Sequence, residues 1–264
     1  MNRIMSLNKI NVIEFIRTKK AIFCSCFLLV ITGLNLIIAA SFNFISKNVD
    51  LSNYQIIKNF LDSINEAIPS SVKDYSSLYC SQIITLYSFL CVLIFSRIVP
   101  DEINKGKWII PTNYDYKKSQ IIISKSVIYA LLACLPIIPL FYIYNFSLQF
   151  FFGEDSYAFL ELLGRSLLLF FDEFCIISLS VALSSKKQYI IFLLSMFAYF
   201  TILPDMLSLL SFKYFLPTFV FSYLYSNETF GWLLFVPILE NLIIYVLIFI
   251  LCIIDSSKIN INER

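Results

Sequence analysis

Four polar side chains fall where a bilayer would be: Asn35, Asp172, Glu173 and Glu240 each sit inside a long apolar run. Ionised carboxylates in hydrocarbon cost at least a few kcal/mol each, so acids there serve as paired ties between helices or subunits, as protonated groups, or as the lining of a path. Asn35 suits a helix–helix hydrogen bond. The chain contains no histidine, which removes Ser-His and Cys-His nucleophilic pairs, zinc sites of the His-Glu-x-x-His kind and histidine proton relays. Its seven cysteines, at 24, 26, 80, 91, 134, 175 and 252, lie in or beside apolar stretches, where thiols behave as small apolar groups. Cys24 and Cys26 project about 200° apart on a helix and cannot share a metal ion. No catalytic residue, metal site or cofactor is expected on this chain.

The elements that would hold these groups are membrane spans. The 264 residues are 59% hydrophobic and 14% charged, with a mean hydropathy of +0.79, against about 25% charged residues in a soluble domain. Runs at 21–42, 79–99, 121–144, 162–184, 189–210 and 231–254 are long enough to cross a bilayer. The fold expected is an all-α membrane protein with six transmembrane helices in a single transmembrane domain, 1–264. Residues 43–78 form an outer segment, and within it 56–68 has the period of an amphipathic helix ended by Pro69. Residues 7–18 form a short N-terminal helix whose apolar positions do not keep to one face. Pro136 and Pro139 should kink the third span, since each removes a backbone donor. Residues 205–230 are too interrupted for a plain span and suit re-entrant or interfacial helices.

Charge asymmetry gives the orientation. Fifteen of the 20 Lys and Arg residues lie in 1–20, 97–125, 184–188 and 255–264, and basic loops stay in the cytoplasm. Both termini are therefore expected inside. The polar interruption 100–120 carries Lys105, Lys107, Lys117 and Lys118. No Walker sequence or phosphate-binding loop occurs, so any energy source must sit on another chain.

Within that interruption, Glu102-x-x-x-Gly106-Lys107-Trp108, then Pro111, the pair Lys117-Lys118 and Ser124-Lys125 resemble the cytoplasmic segment after the second span in ABC transporter permeases of the type 2 family. Lys107 stands where that family usually has threonine. The resemblance implies a cytoplasmic coupling element over 100–120, with Glu102, Gly106, Trp108, Tyr114, Tyr116, Lys117 and Lys118 meeting an ATPase. Trp108, Tyr114 and Tyr116 would be its apolar anchors, and Lys186 and Lys187 a second, smaller contact. It further implies two ABC ATPase subunits carrying ATP and magnesium, a second permease chain (identical or related), and a multi-pass place in the bacterial cytoplasmic membrane. The expected activity is export of an amphipathic substrate, such as an antimicrobial peptide or lipophilic drug, as in peptide-export and bacteriocin-immunity transporters. No role in nucleic-acid binding is expected. Two readings stay open beside it. One is an ion-coupled secondary transporter using Asp172, Glu173 and Glu240; the other is a membrane anchor or sensor subunit that transports nothing.

Overall fold

The structure, a computed structural model, describes residues 2–48, 71–153, 157–184, 195, 219–225, 231 and 234–256. These are helical throughout, with no strand among them. Five helical stretches are long and apolar enough to cross a membrane: Lys19–Phe44, Val72–Asn104, Lys118–Phe152, Phe159–Leu183 and Phe235–Ile254. The expected fifth span, 189–210, lies outside the described residues except Ser195. The expected amphipathic helix at 56–68 and the basic pair Lys186-Lys187 lie outside them as well.

Helix α1 (Asn2–Arg17) precedes α2 (Lys19–Asn48), the first span. The two are separated at Thr18, whose hydroxyl donates to the Phe15 carbonyl at 2.9 Å. The blurred pattern of α1 has a physical cause: the helix has two apolar faces. Leu7, Asn11 and Phe15 form a buried stripe against the bundle, while Met5, Ile10, Ile13 and Ile16 are exposed.

The second span is longer and less regular than 79–99. It starts as α3 (Val72–Gln82), where Ser71 and Asp74 form a reciprocal cap, the Ser71 hydroxyl accepting from the Asp74 amide. It then widens into a π turn at Ile83–Tyr87, resumes as α4 (Ser88–Phe95), breaks at Ser96 and Arg97, and ends as α5 (Ile98–Asn104). The third span goes beyond the expected kink and is split at its prolines into α7 (Lys118–Cys134) and α8 (Ile137–Phe152). It opens three residues earlier than expected and runs eight residues further, to Gly153, a left-handed cap at φ 69°. Between spans 2 and 3 stands the short α6 (Ile109–Asn113). Helix α9 (Phe159–Leu183) packs along α7 and α4, followed by α10 (Phe219–Tyr225) and α11 (Phe235–Ser256).

Irregular backbone in apolar surroundings must find partners, and the two breaks serve each other. The Tyr87 hydroxyl, at the end of the π turn, donates to the Ala133 carbonyl at 2.8 Å, next to the proline break. Spans 1 and 2 are joined by Thr32 to Tyr79 at 2.7 Å and by the Asn35 amide donating to Gln82 at 2.6 Å. Tyr79 stacks on Tyr144 of α8 with centroids 4.2 Å apart.

At the end of the bundle where α3 and α9 begin, Arg165 is 0% exposed. Its guanidinium lies between the rings of Tyr157 and Tyr223, 4.0 and 4.4 Å from their centroids, and donates to the Tyr223 carbonyl at 3.2 Å. Glu161, one turn earlier, neutralises it at 3.3 Å. Only a flat cation fills a slot between two rings while donating at its edge. Arg165→Lys is therefore expected to destabilise the detergent-solubilised protein by about 2 kcal/mol, read as a lower thermal unfolding midpoint. Tyr223→Phe, which keeps the ring, should change it far less.

Candidate functional site

The segment with the richest polar chemistry starts at the end of α5. Its last turn is closed by two backbone bonds, Gly106 N–H to the Ile103 carbonyl and Lys107 N–H to the Glu102 carbonyl, both 3.0 Å. These are the paired bonds of a Schellman cap, whose C′ residue must be left-handed. Gly106 has φ +67°, a left-handed conformation that glycine adopts freely and that strains most other residues. The cap reverses the chain and returns Lys107 and Trp108 towards the residue that the helix has just passed, Glu102.

A closed circuit of hydrogen bonds follows. Trp108 Nε1 donates to Glu102 Oε2 at 3.1 Å, and Glu102 Oε1 accepts from Lys125 Nζ of α7 at 2.5 Å. Lys125 Nζ also reaches Glu14 Oε2 of α1 at 2.9 Å, and Glu14 Oε1 accepts from Lys107 Nζ at 2.5 Å. Lys107 and Trp108 are adjacent, so the backbone completes the ring. Two cations and two anions balance. Lys125 is 3% exposed and lies 5.3 Å from the centre of the Tyr129 ring.

Below this ring α1 is fastened to α7 by further polar contacts. The Asn11 amide donates to Ser124 Oγ at 2.6 Å, Ser124 Oγ donates to Asn8 Oδ1 at 2.6 Å, and Ser6 pairs with the Tyr116 hydroxyl at 2.7 Å. Apolar packing completes the joint: Trp108 lies in a small core with Leu7, Val99, Ile121, Ile122 and Ala182.

The structure thus brings Glu102, Gly106 and Trp108 together, but facing inwards. Trp108 is 2% exposed, so the expected presentation of its indole to a partner does not fit its burial. What projects from α6 and the following turn is Ile109 at 52% and Tyr114 at 69% exposure, with Lys117 also exposed. Tyr116 is half-buried through its bond to Ser6, and Lys118 is half-buried at the start of α7. Glu14, Asn8 and Asn11 are site residues that sequence reasoning missed. Their signal was present, because the three recur every third residue and Glu14 is the lone acid among five basic residues in 1–20.

The intramembrane polar residues form no cluster with this ring. Asn35 ties α2 to α3. Glu173, buried on α9, accepts from Ser88 Oγ at 2.6 Å, directly after the π turn. Glu173 Oε2, Asp172 Oδ2 and Glu240 Oε2 have no hydrogen-bond partner among the described residues. Comparison with protein-family models, with curated proteins and with solved structures finds no match to this chain.

Burial works to raise the Glu14 carboxyl, but hydrogen bonds and charges from Lys107 and Lys125 outweigh it and hold the group below its ordinary 4.5. The bond from Glu14 lifts Lys107 above its ordinary 10.5, against partial burial. A depressed acid contributes stability that is present above 4.5 and lost as pH falls through its folded value. A raised lysine contributes stability present below 10.5 and lost as pH rises through its folded value. The thermal midpoint is expected to be level between these limits as far as this pair is concerned, and Glu14→Gln should flatten the decline on the acid side. Lys125→Met, which leaves the buried Glu102 without a cation and Glu14 with Lys107 alone, should cost about 3 kcal/mol in reversible denaturant unfolding. Adding Glu14→Gln and Glu102→Gln to it should recover at least half of that loss, because the stranded charge and not the missing side chain carries most of the cost.

Proposed function

We propose that this chain is the transmembrane permease subunit of an ATP-driven exporter, with 100–120 as its cytoplasmic coupling segment. One observation carries the reading. The segment between spans 2 and 3 is a folded lever: a glycine-capped turn bolted to α1 and α7 by the ring, from which α6 and the turn after it present Ile109 and Tyr114 outwards. A topological loop needs only its positive charges. A rigid reversal braced by four charged groups suits a segment that must transmit force. Exposed apolar and aromatic side chains on a braced element are the usual anchors of a protein–protein contact.

On this reading the chain has six spans with both termini inside and lies in the bacterial cytoplasmic membrane. Two ABC ATPase subunits bind ATP and magnesium beneath it, and a second permease chain completes the path. Movement of the motors against α6 tilts α5, α7 and α1 as one unit, because the ring fixes them together. The load then passes up spans 2 and 3 to the π turn and the proline break, where the helices are already interrupted. An amphipathic substrate, such as an antimicrobial peptide or a lipophilic drug, suits the aromatic walls.

A second reading rests on the unpartnered oxygens of Asp172 and Glu173: transport coupled to a proton or cation without a motor. Affinity capture from native membranes separates the two. The permease reading expects a nucleotide-hydrolysing subunit to co-purify, with capture falling at least about tenfold in Ile109→Ala/Tyr114→Ala while the unfolding midpoint stays unchanged. A cysteine at 114 should be labelled from the inner side only. Purified chain that moves cargo on an ion gradient alone, and loses this in Asp172→Asn/Glu173→Gln, would overturn it.

A further inference from the structure

Beside the ring, α1 and the turn after α5 enclose an open cleft of about 490 Å³. Its walls are mostly apolar: Leu7, Ile10 and Ile13 from α1, Trp108 from the turn, Pro111 from α6, and Ile121 from α7. Its charged groups are Glu14, Glu102, Lys107, Lys125 and Arg17. The first four neutralise one another within the ring. Arg17 is exposed and has no ion pair among the described residues, so the cleft is left with one positive charge, at the α1–α2 junction.

The outward face of α1 says what lies beside this cleft. Met5, Ile10, Ile13 and Ile16 are exposed, with Lys9 and Arg17 exposed among them. Apolar side chains mixed with cations on one face, on a helix joined to the start of a span, describe a helix lying in the plane of the membrane surface. Lys19 and Lys20 add charge at the same junction. A ligand that fills this cleft needs an apolar body for the walls and an anionic end for Arg17. The surrounding leaflet supplies that combination as an anionic phospholipid, and basic pockets between membrane helices hold such headgroups.

We propose that the α1 cleft binds an anionic phospholipid, with an acyl chain against Ile10 and Ile13, beside the buried Trp108, and the phosphate on Arg17. The bound lipid would wedge α1 onto the turn that carries the ring, making the position of the 100–120 segment sensitive to membrane composition. This does not rest on the permease reading and applies to the chain whatever it transports.

Trp108 makes the site observable, because the only other tryptophan is Trp232. The full chain carrying Trp232→Phe is reconstituted into phosphatidylcholine vesicles containing graded amounts of lipid brominated on its acyl chains. The expected result is that brominated phosphatidylglycerol quenches Trp108 at about a fivefold lower mole fraction than brominated phosphatidylcholine. Arg17→Gln should erase that difference without moving the unfolding midpoint, and Arg17→Lys should keep most of it. Equal quenching by the two lipids in the Trp232→Phe chain overturns the proposal, as does a preference that survives Arg17→Gln in folded protein. Absence of quenching by either lipid overturns it too, and leaves a side chain of a protein partner as the occupant.

Discussion

A lysine ammonium buried inside a helix joint sets the terms for the basic end of this protein. Removing such a charge from water costs several kcal/mol, which only close, well-aligned opposite charges offset. Lys125 obtains two carboxylates, Glu102 and Glu14, that arrive from different helices. Those acids in turn need donors for their remaining oxygens, and Trp108 and Lys107 provide them. Each member therefore justifies the next. Since the members belong to α1, α5, the capped turn and α7, satisfying one ammonium fixes four pieces of chain. A hydrophobic joint could be as stable, but it would tolerate sliding; a ring of directed bonds has one register.

The opposite end is secured by the same rule with different chemistry. Arg165 is as deeply buried as Lys125, yet among the described residues it has one carboxylate and two aromatic faces in place of two carboxylates. Guanidinium is flat and weakly hydrated, so ring faces serve as part of its solvation. Between these two satisfied ends the middle of the bundle is less complete. There the π turn, the proline break and the spare oxygens of Asp172 and Glu173 fall on adjoining helices. Helix irregularities and unfilled polar capacity belong together in membrane proteins, because both need a neighbour or a cavity to supply partners. Rigid ends and an adaptable centre are the result.

Much of this was legible in the sequence, for reasons that differ by residue. Apolar length alone gave five of the spans, because hydrocarbon thickness is a constraint on a single segment. A kink in the third span followed from Pro136 and Pro139, whose missing donors act locally, and the structure carries it as far as a split. Gly106 stood out within a short motif, and its left-handed cap is likewise a local requirement. The π turn at Ile83–Tyr87 has no such marker; its residues are ordinary helix formers, and the widening is fixed by what lies across from it. The ring was hidden for a similar reason. Glu14 and Lys125 are 111 residues apart, and nothing in either neighbourhood names the other. Helix α1 looked faceless because it serves two surfaces at once, and a single-face pattern has no way to register that.

The inward aim of the motif changes what such a motif means. Glu102, Gly106 and Trp108 are the residues by which the segment resembles coupling elements, and all three are spent on shaping the segment itself. Gly106 sets the reversal, Glu102 receives the buried cation, and Trp108 fills the core beneath it. None offers much surface to a second molecule. A motif of this kind fixes the shape of its own segment and carries little information about what the segment meets. The side chains exposed around it, Ile109 and Tyr114 foremost, supply no side-chain bond to the ring. If the chain is the proposed permease, those positions are free to change with the motor while the capped turn and the ring stay the same.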